Sequence, residues 1–131
     1  MSQVFIHPSA QVHPSATVGD DTVVKEGAVI SSGARIGPAC CIMRNVEVGA
    51  DVTIETEVMV LTGTKIGTGA VIKTRAMVGS DAVIGDYAII GEEVIIGVGA
   101  QIGAGAVLAA KTAVEKYAIV PPGAPILASS K

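Results

Sequence analysis

An aliphatic residue recurs at every sixth position along the whole chain. From Ile6 the series runs through Val12, Val18, Val24, Ile30, Ile36, Ile42, Val48, Ile54, Val60 and Ile66, then Ile72, Val78, Ile84, Ile90, Ile96, Ile102, Leu108, Val114, Val120 and Ile126. No insertion breaks the phase, so the repeat belongs to the fold as a whole. Two residues before each member stands a second column, from Val4, Ala10 and Ala16 to Ala118 and Ala124, which holds only Ala, Val, Thr or Cys. A spacing of two puts side chains on one face of a strand, so both columns face a common core. A period of six leaves no room for a helix and its connections, and short strands joined by tight corners remain.

The glycines fit this reading, because corners need residues that tolerate positive φ or close backbone approach while strand interiors are weakened by Gly. Of the sixteen, nine directly follow the aliphatic column (Gly19, Gly37, Gly49, Gly67, Gly79, Gly85, Gly91, Gly97, Gly103) and seven lie three before it (Gly27, Gly33, Gly63, Gly69, Gly99, Gly105, Gly123). None falls in a predicted strand.

This motif resembles the hexapeptide-repeat family, whose members are all-β, left-handed parallel β-helices with three hexads to a triangular coil. The resemblance supplies the handedness, against the usual right-handed crossover rule. It implies one domain over residues 1–131, with seven coils rising roughly 34 Å at the ordinary strand separation. Five of the six prolines lie near the ends, at Pro8, Pro14, Pro121, Pro122 and Pro125. There they protect open strand edges, since Pro cannot donate to an added strand.

Half of the residues are hydrophobic but only 2% are aromatic, with no Trp and one Phe, so small aliphatics must fill the core. A formal charge of −3 without basic clusters gives no footprint for nucleic acid or an anionic membrane. The start, MSQVFIHPSAQ, carries no targeting pattern, and no run approaches ~18 apolar residues, so a cytoplasmic, soluble protein is expected. Cys40 and Cys41 are neighbours whose side chains point to opposite faces of a strand, which predicts two free thiols and a reducing compartment.

Sorting the chain by 18 separates three walls. On the wall carrying Ile6, Val24 and Ile42 the outward column is Phe5, Val23, Cys41, Met59, Met77, Ile95 and Ala113, and the adjoining corner adds Met43 and Leu61. Monomers seldom leave so continuous an apolar stripe wet. It is expected to be a subunit interface through Val23, Cys41, Met43, Met59, Leu61, Met77 and Ile95, and the family resemblance makes a homotrimer the expected assembly. Beside it Glu57, Arg75, Glu93 and Lys111 recur at 18-residue spacing, an edge expected to be solvated.

The ends of the chain narrow the resemblance. IHPSA at Ile6 to Ala10 and VPPGAPILASSK near the end are similar to γ-class carbonic anhydrases, and IGAGAVLAAK is similar also to hexapeptide acyltransferases. Met43-Arg44-Asn45 followed by VEVGADVTIET looks like the carbonic anhydrases' Arg-Gly-Asp region, with Glu55 and Thr56 where Gln and Asp are usual. The three metal-binding histidines of that family would fall at Leu61, Thr74 and Gly79, and Leu and Gly have no donor atom. No metal, cofactor or carbonic anhydrase activity is therefore expected.

A family acyltransferase normally uses a corner histidine as general base beside a groove between subunits. Here only His7 and His13 are present, both in the first coil, and they read as turn residues. Glu55, Glu92 and Glu93 read as solvated corners. The unbroken phase offers no inserted loop to build a pocket. The expectation is a non-catalytic, homotrimeric structural or scaffold β-helix without catalytic residues or a small-molecule substrate. The competing expectation is an acyltransferase that takes acetyl-CoA or another acyl donor in an intersubunit groove.

Overall fold

The computed structural model describes residues 4–123 and 125–126. Among them, two-residue strands fall at every sixth position, from Phe5–Ile6 through Gln11–Val12 and Thr17–Val18 to Pro125–Ile126. They form three parallel seven-stranded sheets, and partners in each sheet are 18 residues apart, as in Met59↔Cys41 and Met59↔Met77. The chain winds about six turns between the first and last strand of a sheet, so the expected seven coils are seven strand levels joined by six steps. The first wall starts at Phe5–Ile6, the second at Gln11–Val12 and the third at Thr17–Val18. Residues 7–10 and their 18-residue equivalents make the first corner, 13–16 the second, and 19–22 the third, which returns to the first wall.

The two inward columns fill the prism. Val24, Ile42, Val60, Val78 and Ile90 are fully buried, as are Ala28, Ala70, Ala88 and Ala100 from the second column. Both columns face inward as expected, but Val4 and Ile6 stay 42% and 39% exposed, since none of the described residues forms a coil beneath them. The expected core position Ala124 and the side chain of Ile126 lie outside the described residues.

Polar members of the inner column find acceptors within the prism. Thr22 and Thr64 donate their hydroxyls to the carbonyls of Gly37 and Gly79, each at 2.7 Å, and the Cys40 thiol donates to Glu55 O at 2.9 Å. Each acceptor lies 15 residues on. Thr112 is buried with no partner for its hydroxyl among the described residues, and the carbonyl at the same offset belongs to residue 127, outside them. Burial pushes the Cys40 thiol above its usual range, against backbone hydrogen bonds that lower it.

The corners use glycine in two ways. The seven that precede the aliphatic column by three have φ near +70°, and every equivalent corner from Asp21 to Tyr117 shares that left-handed turn, including Ala39, Glu57, Arg75, Tyr87 and Lys111. Glycines that follow the column instead lie against the next coil. A Cβ on Gly85 would stand 2.5 Å from Ala104 N, and one on Gly19 2.6 Å from Gly37 C.

Each left-handed residue from Ala39 onward donates its N–H to the carbonyl 19 residues earlier, as in Ala39 to Asp20, Asn45 to Glu26 and Arg75 to Thr56. A spine of hydrogen-bonded peptides therefore climbs each corner.

Candidate functional site

The first wall brings the apolar outward column together. Phe5, Val23, Cys41, Met59, Met77, Ile95 and Ala113 are consecutive partners across one sheet. Alternation explains the arrangement: each faces away from the inward-pointing neighbour that follows it. Phe5 and Ile95 are each 53% exposed, with Met59 and Met77 near 39%, while Val23 and Cys41 are half-buried. On the first corner Leu61 is half-buried, and Met43 packs partly against the prism's own core.

The positions compared with metal-binding histidines divide between corners. Leu61 and Gly79 occupy successive levels of the first, whereas Thr74 lies on the third. Among the described residues no three His, Cys, Asp or Glu side chains are grouped so as to hold a metal ion. Thr74 instead donates its N–H and its hydroxyl to Glu55 Oε1, at 3.1 and 3.2 Å. Glu55 is thus a half-buried acceptor tying two coils together, which corrects its reading as a solvated corner. Glu93 is also engaged, since Arg75 bridges Glu93 at 3.1 Å and Glu57 at 3.7 Å, with all three side chains well exposed. Such exposed pairs contribute about 0–1 kcal/mol, so this ladder trims the edge and does little to hold the coils.

His7 and His13 stand on adjacent corners in identical settings. Each ring Nδ1 accepts the N–H of the serine two residues on, at 3.1 Å, and contacts that serine's hydroxyl at 2.9 or 2.8 Å. A backbone N–H can only donate, so Nδ1 is the unprotonated nitrogen and Nε2 carries the hydrogen. In this tautomer neither ring offers a free base outward.

The hollows on the described surface are open. One of about 600 Å3 lies between the second wall and the second corner, lined by residues that include Gln11, His13, Val29, Ser31 and Ser32. Another of about 310 Å3 lies among Lys25, Glu26, Met43 and Arg44. Among the described residues no helix is long and apolar enough to cross a membrane.

A family model described as the GMPPB C-terminal domain matches residues 1–81. Among solved structures, a variant of the GDP-perosamine N-acetyl transferase from Caulobacter crescentus, in complex with CoA and GDP-perosamine, matches 96% of this chain and 54% of its own, with a TM-score of 0.63 and 23% identity. The UDP-N-acetylglucosamine acyltransferase of Francisella novicida matches 94% of this chain and 60% of its own, with a TM-score of 0.58 and 19% identity. The UDP-N-acetylglucosamine O-acyltransferase of Moraxella catarrhalis matches 94% and 65%, with a TM-score of 0.59 and 15% identity. The chain spans about half the length of the Caulobacter enzyme. No curated protein sequence matches it significantly.

At these identities the likeness fixes the architecture, a left-handed hexapeptide-repeat β-helix. It also overturns the expectation of a non-catalytic scaffold, because solved folds that match almost the whole prism include those of acyltransferases.

Proposed function

The chain belongs to the GMPPB C-terminal domain family, and from that premise and the acyltransferase folds it matches we propose that it is the β-helix of an acyltransferase. It binds an acyl donor such as acetyl-CoA in a groove between copies of itself. The observation that carries this reading is the match of nearly the entire prism to an acetyltransferase solved with CoA. We assign the donor half of the site only, since His7 and His13 spend their unprotonated nitrogens within their own turns.

Two features of this chain support a groove between subunits. The first wall is apolar along its length, and its covering by a second copy would keep that surface dry. At two levels its edges are opposite in sign, with Asp21 before and Lys25 after the strand Val23–Val24, and Lys111 before and Glu115 after Ala113–Val114. In a closed three-fold ring the leading edge of one copy meets the trailing edge of the next, so in-register prisms pair these charges. Cys41, Met59, Met77 and Ile95 would lie inside that contact, with Val23, Met43 and Leu61 at its margin.

The upper corners suit a long, thin donor. Beside the first wall they include the small residues Gly79, Ser80 and Gly97 on one side and Gly91, Ala109 and Ala110 on the other. Small residues there leave room for an extended thioester chain between two prisms, and Lys116 supplies a cation for phosphate groups at the same end. When bound, the donor supplies an activated acyl carbon. Calorimetric titration with acetyl-CoA tests the proposal: saturable micromolar binding supports it, and no heat of binding at millimolar donor overturns it.

A further inference from the structure

The first coil departs from the rule that the corners above it obey. Ser9 and Ser15 occupy the corner position that is left-handed from Asp21 to Gly123, yet neither has a positive φ. Their N–H groups, which by the pattern of later levels should donate to a coil below, are given to the rings of His7 and His13. Their hydroxyls take over the upward task. Gly27 N–H donates to Ser9 Oγ at 3.0 Å and Gly33 N–H to Ser15 Oγ at 2.9 Å, where every later corner N–H donates to a carbonyl. The turns are closed by Ala10 N–H to His7 O and Ala16 N–H to His13 O, both at 2.9 Å.

We propose that the two His-Pro-Ser corners are caps that terminate the peptide spines and close this end of the prism to any further coil. The logic is that of a serine at a helix N-cap, where a side-chain oxygen satisfies a backbone donor that has lost its partner. A coil placed beneath would aim its own corner carbonyls at Ser9 and Ser15 and find their N–H groups already spent. Each such carbonyl would be left unsatisfied, a cost that disfavours stacking. The histidine ring is thereby a structural acceptor: it holds the serine N–H inside the turn, and Pro8 and Pro14 bring no donor of their own. The surface closed in this way is one that another chain, or another segment of β-structure, would otherwise extend. At the third corner, residues 19–22, the position is left-handed at Asp21, and the level beneath it, residues 1–3, lies outside the described residues.

Two measurements on the full chain test this. In Ser9→Ala with Ser15→Ala, hydrogen exchange at the Gly27 and Gly33 amides should quicken roughly tenfold, the loss expected for one hydrogen bond, while Asn45 and Asp51 amides hold their rates. Unchanged Gly27 and Gly33 rates would overturn the assignment. The second measurement adds a coil copying residues 19–36 ahead of residue 1, which keeps the six-residue phase. On the native corners the added coil should exchange as unfolded chain. It should become protected when the corners take the sequence of the level above, through His7→Lys, Pro8→Glu, Ser9→Gly, His13→Ser, Pro14→Ser and Ser15→Gly. Protection of the added coil in both proteins, or in neither, counts against the caps as what closes the end.

Discussion

Gly85 and Gly105 are both corner glycines, and the structure gives them opposite reasons for being there. Gly105 has φ +71° and nothing closer than 3.9 Å to a built Cβ, so it is present for its backbone conformation alone. Gly85 is not in the left-handed region, but its Cβ would sit 2.5 Å from Ala104 N, about 0.9 Å short of the 3.4 Å at which ordinary contact begins. Gly105→Ala should therefore cost the left-handed penalty of about 1–2 kcal/mol less the ~0.4–1 kcal/mol gained from a stiffer unfolded chain, a net loss near 1 kcal/mol.

Gly85→Ala must push two coils apart, or tilt them, by most of that 0.9 Å. The 2.7 Å hydrogen bond from Gly85 N–H to Ile102 O would then stretch beyond useful length. Overpacking together with a lost hydrogen bond brings the loss to about 3 kcal/mol. Urea unfolding of the two variants compares them directly, with Gly105→Asn as a third that should be nearly neutral, since Asn tolerates the left-handed turn. Equal destabilisation by the two alanines, or a milder effect at Gly85, would refute the division of the glycines into two roles.

The buried thiol and hydroxyl make further predictions. The Cys40 thiol is raised from its usual 9.0, so folding favours its protonated form. That stability is fully present below pH 9.0 and drains away as pH rises through the folded-state value; thermal melts from pH 7 to 10.5 should show the loss, and Cys40→Ala should flatten it. In Thr64→Val the shape is kept but the 2.7 Å bond to Gly79 O is removed, and chemical denaturation should report a loss of about 1 kcal/mol. A loss near zero would mean that carbonyl is content without the hydroxyl.

Much of the fold was legible because one period governs strand, core and corner alike. An aliphatic at each sixth residue and a small residue two before it leave the inward face of every strand no other assignment, and handedness came with the family likeness. The corners were half legible. Seven glycines marked the left-handed position, but Ala39, Glu57, Arg75, Tyr87 and Lys111 hold the same conformation and carry no local preference for it. Only their phase with the glycines betrays them. The bond between Glu55 and Thr74 joins residues 19 apart across two levels, and neither side chain hints at it when the chain is read in line. His7-Pro8-Ser9 was visible as a proline turn, while the exchange of donors within it needed coordinates.

The functional expectation failed for a different reason. A base and a pocket were sought on one chain, but a fold does not dictate its chemistry, and a site shared between prisms leaves little trace on either alone. Under the proposed function, the apolar column from Phe5 to Ala113 is the trace such a site would leave.

The proposed donor groove depends on that wall meeting another copy, so the mass of the assembly in solution is the most direct test of the account. Light scattering should report three times the 13.1 kDa of one chain. In Met59→Glu with Met77→Glu it should fall to one chain, because burying unpaired carboxylates in three copies costs several kcal/mol each. Circular dichroism should still show β-structure, since the inward columns are untouched. A native chain that scatters as a monomer, or a double variant that remains three chains, would contradict the wall as the subunit face and remove the groove with it.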